Sequence, residues 1–200
     1  MLGRAPLLPS FSRRAEYMGM AAPSNFYTAD MVRALPDDGN RYETVYGELL
    51  VSPAPRGWHQ ELTLRLVIEL RRYLEREQVG HAMLSPADIS WGADSLVQPD
   101  VFVVALDQAR TMDWARMRDL RLVAEVLSPS TTRYDRFTKR RLYQAIGIPL
   151  YWLIDGDARS VEIWNPNSSF PVIERDIIRW SPAGASAPFE MELEALFRPM

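Results

Sequence analysis

The stretch LRLVAEVLSPSTTRYDRFTKRRLYQAIGIPLYWLID, residues 120–155, carries the strongest fold signal in the chain. Residues 120–127 and 149–155 are almost continuously apolar, which is typical of central strands that are covered on both faces of a sheet. Between them, the Ser and Thr residues at 128–132 are typical of a helix start, and the pattern predicts a helix from about 134 to 145, ended by Gly147 and Pro149. Strand, helix and strand in this order indicate helices packed on a sheet.

The segments on either side extend the same layout. The pattern predicts a short helix capped by Thr28, a strand pair or bent strand around Gly47, and a long helix from His59 to about Gln78. Further strands are predicted at 81–92, 97–106, 160–166 and near 172–180, and a short helix at 193–197. The fold class is therefore mixed α/β (α+β), with a single domain at 25–200 and a mobile N-terminal extension at 1–24.

Composition excludes several classes of protein. With 47% hydrophobic and 24% charged residues, the 200-residue chain has ordinary globular usage. The absence of cysteine excludes a disulfide framework and a thiolate zinc site, and it favours a cytoplasmic location. The net charge of -3 argues against a protein that coats nucleic acid by charge alone. No apolar run approaches the roughly 20 residues that span a bilayer, so no membrane association is expected.

Two carboxylates lie within apolar strand segments. Asp100 precedes VFVVAL, and Glu125 interrupts LRLVAEVL. A buried carboxylate needs a partner, because uncompensated burial of charge costs more than a domain's stability. If the two strands are neighbours, these acids converge and can hold a divalent cation, for which oxygen ligands favour magnesium, manganese or calcium over zinc. Glu48 is a third acid of this kind, with Glu43 as its rival, and their spacing does not choose between them.

Lys139 is the only lysine in the chain, against 22 arginines. Asp135, Lys139 and Tyr143 recur every four residues, so the three side chains share one side of the predicted helix. A lysine facing the acids could orient a water molecule and stabilise charge on a phosphoryl oxygen. The plainer alternatives are a structural ion pair between Glu125 and Lys139, a helix-start acid for Asp135, a core position for Tyr143 and a helix-start position for His59.

At this point the sequence resembles a known family. RYETVYGELLVSPAPRGWHQ, QPDVFV and AEVLSPSTTRYDRFTKRRLYQAIGIPLYWLID, in this order, are similar to the Uma-two-type putative restriction endonucleases of the PD-(D/E)XK nuclease superfamily. The resemblance covers about residues 28 to 165. It implies a restriction-endonuclease-like core, with a central mixed β-sheet flanked by helices, and a magnesium-dependent phosphodiesterase centre.

The resemblance also implies roles for particular residues. Asp100 and Glu125 would bind Mg²⁺, or Mn²⁺ in its place, with the carbonyl of Val126 and the carboxylate of Glu48 as further ligands. The superfamily's usual lysine position, two residues after the second acid, holds Leu127, so Lys139 would supply the catalytic ammonium from the following helix. Tyr46 stands where the family often has Asp before the glycine of its first motif.

The function predicted from the sequence is a metal-dependent endonuclease that hydrolyses DNA. Arg133, Arg136 and Arg140 would contact the phosphate backbone, and a homodimer is expected because cutting both strands needs two centres. Lys139→Arg is expected to cause a strong loss of cleavage and to leave folding intact. The alternative is a catalytically silent nuclease-fold protein that binds nucleic acid or a protein partner, and a carboxylate-pair glycosidase is a weaker third interpretation.

Overall fold

The computed structural model describes residues 25–199, so the predicted extension at 1–24 lies outside the described residues. The helices are α1 Ala29–Arg33, α2 Gly57–Glu77, α3 Leu106–Ala109, a 3-10 helix Trp114–Arg116, a π-helix Tyr134–Lys139, α4 Arg140–Ala145 and α5 Leu193–Phe197. The strands are β1 Arg41–Val45, β2 Glu48–Ser52, β3 His81–Leu84, β4 Ile89–Ser90, β5 Leu96–Val97, β6 Val101–Val104, β7 Leu120–Val126, β8 Tyr151–Asp155, β9 Ser160–Trp164, β10 Val172–Glu174, β11 Ile177–Trp180 and β12 Phe189–Glu192.

A six-stranded sheet forms the centre of the domain, in the order β10, β9, β8, β7, β6, β3. Strands β7 and β8 are parallel, because the π-helix and α4 cross between them, and the other neighbours are antiparallel. All four residues of β6 and six of the seven in β7 are buried, as their apolar runs predict. The predicted central mixed sheet flanked by helices is confirmed.

Each face of this sheet packs against its own layer. Helix α2 buries Leu62, Leu66 and Leu70 on one face, together with α5 and the β11–β12 hairpin. On the other face, Leu142 and Tyr143 of α4 pack against the sheet. The central strands β6, β7 and β8 are thereby buried on both sides. The start of β6 and the end of β7 lie beside the π-helix.

A smaller sheet, in the order β2, β1, β5, β4, covers the end of the domain that holds the start of β6. Its β1–β2 hairpin turns at Tyr46 and Gly47, which both have positive φ values of 53° and 80°. Two consecutive positive φ values are the geometry of a tight two-residue hairpin loop. The segment around Gly47 is therefore a strand pair and not a single bent strand.

Three strand predictions are wrong in their extent. The segment 172–180 is split into β10 and β11 at Arg175 and Asp176, where the chain leaves one sheet for another. The segment 81–92 is likewise divided between β3 and β4, which belong to different sheets. Strand β6 ends at Val104, and Leu106 begins α3 instead of continuing the strand.

None of the helices in residues 25–199 has the length and apolar character needed to cross a lipid bilayer.

Candidate active site

The two strand acids meet at one end of the central sheet. Strands β6 and β7 pair with Val101 opposite Ala124, which brings Asp100, just before β6, beside Glu125. The Asp100 N–H donates to Glu125 Oε2 at 3.2 Å, and the Val126 N–H donates to Asp100 Oδ2 at 2.9 Å. The structure thus brings Asp100 and Glu125 together as the sequence predicted.

Lys139 lies against three carboxylates. Its Nζ is 2.8 Å from Glu43 Oε1, 3.0 Å from Glu125 Oε1 and 3.5 Å from Asp135 Oδ1, and its side chain is fully buried. Lys139 therefore lies in the interior of the domain and faces the acids. Tyr143 is also buried, and its hydroxyl donates to Glu125 Oε1 at 3.2 Å. We call Glu43, Asp100, Glu125, Asp135 and Lys139 the acid cluster.

The helical segment that carries Lys139 has an unusual form. Residues 134–139 make a π-helix, a rare wide turn that is frequent at functional sites. Asp135, Lys139 and Tyr143 all point to the buried side, as their four-residue spacing predicted. The sequence indicated the face correctly and gave no sign that the turn is π-helical.

Burial and charge shift the pKa values within the acid cluster. Burial raises the pKa of Glu125 well above its usual range, and the attraction of Lys139 offsets this only in part. For Lys139, burial favours the neutral amine, but the charges of Glu125, Glu43 and Asp135 outweigh it and raise its pKa. The ion pairs therefore favour the ammonium form of Lys139, which donates hydrogen bonds to the carboxylates around it.

Two residues that the sequence did not assign to the site hold Asp100. Arg41 Nη1 is 2.8 Å from Asp100 Oδ1, and His59 Nε2 is 3.0 Å from Asp100 Oδ2. Burial would raise the pKa of Asp100, but the hydrogen bond from His59 and the charge of Arg41 hold it below its usual range. His59 is thus more than a helix-start residue. The sequence pointed to Arg41 and His59 only through Asp100. A carboxylate at an apolar strand needs partners, but its position does not identify them.

Glu43 takes the place in the acid cluster that was predicted for Glu48. Glu43 is completely buried on β1, where its Oε1 contacts Lys139 Nζ and accepts from the Gln98 N–H at 2.7 Å. Glu48 begins β2 opposite Val45, its side chain is exposed, and it makes no ion pair among the described residues. The assignment of Glu48 as a ligand is therefore corrected, because its position by the hairpin turn leaves it outside the buried region.

The Glu43 and Glu48 pair allows a direct test by substitution. Glu43→Gln is expected to lower the free energy of unfolding by about 1 to 3 kcal/mol, because it removes a buried charge that pairs with Lys139. Glu48→Gln changes an exposed group and is expected to stay within about 0.5 kcal/mol of the wild type. Urea denaturation of both variants measures the difference. Equal effects would contradict the placement of Glu43.

The three arginines predicted to contact nucleic acid differ in their surroundings. Arg136 is held by Asp155 at 3.1 Å and Glu162 at 2.7 Å. Arg140 donates to Gln144 and lies 4.5 Å from the ring centre of Trp164. These contacts join the π-helix and α4 to β8 and β9. The guanidinium groups of Arg136 and Arg140 therefore already have protein partners and are not free to contact phosphate. Arg133 is exposed.

A cleft of about 420 Å³ opens beside the acid cluster. Its walls are the segment from Ser52 to His59, the segment from Val126 to Thr132, and the β8–β9 turn from Asp155 to Asp157, with Arg41 and Leu62 between them. The N–H and C=O groups of a strand residue point to the same side of the strand. Because the Val126 N–H donates to Asp100, the Val126 carbonyl is on the side of β7 that faces Asp100. Arg41, His59 and Val126 separate the cleft from Asp100.

The donor chemistry of this region fits a hard divalent cation. Four carboxylates contact two permanent cations, Lys139 and Arg41, and this leaves two negative charges in excess when all four are ionised. Within residues 25–199, Glu43 Oε2 is buried without a hydrogen-bond partner, and Asp135 Oδ1 has only its 3.5 Å ion-pair contact with Lys139. Among residues 25–199, no three His, Asp or Glu side chains are already grouped to hold a metal ion. A metal would therefore use Asp100, Glu125 and the Val126 carbonyl, with the remaining ligands from water or substrate.

Comparisons with known proteins identify the fold and the family. No curated protein matches the chain. A crystal structure described as "a putative nuclease belonging to DUF820 from Anabaena variabilis ATCC 29413" is similar, with a TM-score of 0.69 and 22% sequence identity over 86% of this chain and 97% of that chain. At this identity the likeness shows the shared fold. The family model described as "Putative restriction endonuclease" (Uma2) matches residues 29–182, so the chain belongs to the Uma2 family of restriction-endonuclease-type nucleases.

Proposed function

We propose that this protein is a metal-dependent endonuclease that hydrolyses phosphodiester bonds in DNA. The observation that carries the proposal is the acid cluster, in which Asp100, Glu125 and Lys139 meet at adjacent strand ends beside a cleft. The excess of negative charge and the oxygen-only donors favour Mg²⁺, with Mn²⁺ as a substitute. Asp100, Glu125 and Val126 would hold the ion.

The side chains would divide the chemistry among them. When bound, a divalent cation supplies Lewis-acid stabilisation of a phosphoryl oxygen and lowers the pKa of a bound water. Asp100 is kept ionised by Arg41 and His59, which orients its carboxylate toward the strand end. Lys139 holds the Glu125 carboxylate, and its permanent ammonium favours negative charge that develops nearby. Proton abstraction by Lys139 is disfavoured, because its pKa is raised.

A second candidate function is nucleic-acid binding without cleavage. Asp100 already accepts hydrogen bonds from Arg41, His59 and Val126, so both of its oxygens have protein partners. A metal would have to share or displace one of these contacts. A protein that keeps them permanently would bind nucleic acid in the cleft and leave it intact.

Cleavage assays separate the two candidates. Supercoiled plasmid and single-stranded DNA are incubated with the protein and Mg²⁺, Mn²⁺ or EDTA, and nicked and linear products are measured on gels. The proposal expects cleavage with either metal, none with EDTA, and none with Asp100→Asn, which removes the carboxylate charge. Binding without cleavage under all conditions would support the silent alternative, and cleavage that survives in Asp100→Asn would contradict the assigned centre.

We extend the proposal to a homodimer in the cytoplasm. Two centres are needed to cut both strands of a duplex, and the edge strand β10 exposes Val172 and Ile173 beside the exposed Phe170. The cysteine-free sequence supports the cytoplasmic location. Light scattering coupled to size-exclusion chromatography would give the mass in solution, and a monomer at all concentrations would contradict the homodimer.

A further inference from the structure

The segment from Ser52 to His59 forms the wall of the cleft that carries His59, a hydrogen-bond partner of Asp100. We propose that this wall is a phosphate-binding subsite, which holds a backbone phosphate of the nucleic acid next to the one that is cut. The inference rests on the proposed function and assigns part of the substrate contact to Ser52, Arg56 and the first turn of α2.

The first turn of α2 has the features of an anion site. The helix is 21 residues long, its N-cap Arg56 makes no side-chain capping bond, and its first turn contains no acidic residue. The first intrahelical bond at this end is from the Gln60 N–H to the Arg56 carbonyl, so the N–H groups of residues 57–59 have no helical acceptor. Free N–H groups and the positive end of the helix dipole favour an anion here.

Ser52 supplies an independent observation at the same wall. Its side chain is 2% exposed, and its hydroxyl is buried with no hydrogen-bond partner. Ser52 lies opposite Arg41 on the β1–β2 ladder, so both side chains are on the same face, and both residues line the cleft. A buried hydroxyl without a partner is costly to the fold, and a phosphate oxygen bound in the cleft would supply the missing hydrogen bond.

The charges around the wall favour a phosphate. Arg56 is exposed, lines the cleft and makes no ion pair among the described residues, so its guanidinium is available to a phosphate oxygen. The acids that line the cleft, Asp155 and Asp157, flank Gly156, which lies against Trp58 and Leu62 of α2. Asp155 is paired with Arg136, so the guanidinium of Arg56 is the charged group at this wall that a phosphate would contact.

The test measures DNA binding and cleavage separately. Binding of a short fluorescein-labelled duplex is followed by anisotropy in EDTA over a series of NaCl concentrations, with Arg56→Gln, Ser52→Ala and, as a matched control, Arg110→Gln. Arg110 is also exposed, but it follows α3 at the opposite end of β6. Arg56→Gln is expected to weaken binding about tenfold and to reduce the slope of log affinity against log salt by about 1.

Ser52→Ala is expected to weaken binding about fivefold while the melting temperature stays the same or rises, because the hydroxyl contributes no bond to the fold. Arg110→Gln should bind as the wild type does. If Arg56→Gln and Ser52→Ala match Arg110→Gln in affinity and salt slope, the subsite is wrong, even if the wild type cuts DNA. If both variants lose affinity and the wild type does not cut with Mg²⁺ or Mn²⁺, the subsite stands and the proposed function fails.

Discussion

Replacing Lys139 by methionine is expected to lower the free energy of unfolding by about 3 to 5 kcal/mol. Methionine is close to lysine in length but carries no charge, so Glu43, Glu125 and Asp135 lose the cation that all three contact. Breaking a buried ion pair by removing one partner costs far more than breaking an exposed pair, because the remaining charge stays out of water. Urea denaturation measures the loss.

Arg72→Met is the matched control for this prediction. Arg72 pairs with Glu69 at 2.6 Å on the surface of α2, with its side chain 67% exposed. Its replacement is expected to cost no more than about 1 kcal/mol. A loss of similar size in the two variants would show that the acid cluster does not depend on the ammonium.

A second substitution identifies the source of the loss. Adding Glu43→Gln to Lys139→Met removes one of the unpaired charges, so the double variant should recover part of the lost stability. The two changes should therefore not be additive, as expected for groups in direct contact. Strict additivity would contradict the 2.8 Å contact between Glu43 and Lys139.

The burial of Lys139 also changes the expected effect of Lys139→Arg. The sequence predicted that Lys139→Arg would cause a strong loss of cleavage and leave folding intact. In the structure the Lys139 side chain has no exposure to solvent, and the larger guanidinium has to enter a filled site. Overpacking of this kind costs typically 1 to 3 kcal/mol, so we now expect a loss of stability together with the loss of cleavage.

Lys139 also shows why the sequence predicted part of the site. A carboxylate within an apolar strand and a lone lysine on a helical face are visible in single segments, and Asp100, Glu125 and Lys139 were found in this way. Arg41 and His59 belong to segments that are 59 and 41 residues away from Asp100 along the chain. Only the packing of β1 and α2 against the start of β6 brings them to it.

The choice between Glu43 and Glu48 failed for a related reason. Both acids are in short strands that flank the same turn, and the register pairs Glu43 with Leu50 and Glu48 with Val45. Which end of the hairpin is covered depends on the neighbouring layers, and the sequence of the hairpin does not contain that information. The central strands were easier to predict, because burial on both faces leaves a continuous apolar run.

Glu125→Gln is expected to reduce cleavage roughly a thousandfold while it lowers the free energy of unfolding by only about 1 to 2 kcal/mol. Glutamine keeps the size of the side chain and one oxygen for the bonds from Lys139 and Tyr143. The NH₂ group of the glutamine then faces the Asp100 N–H. Both groups are donors, so the hydrogen bond from the Asp100 N–H is lost. The loss is limited because burial already disfavours the charged form of Glu125, and Lys139 keeps Glu43 and Asp135 as partners.

Cleavage should respond far more strongly, because the amide cannot supply the charged oxygen that a divalent cation needs. Glu162→Gln is the matched control, since Glu162 is also a strand acid with an arginine partner, Arg136, but is not part of the acid cluster. The rate of plasmid nicking with Mg²⁺ and the urea midpoint of both variants provide the measurement. Cleavage near the wild-type rate in Glu125→Gln would remove Glu125 from the proposed centre. A loss of stability as large as that in Lys139→Met would instead show that Glu125 mainly supports the fold.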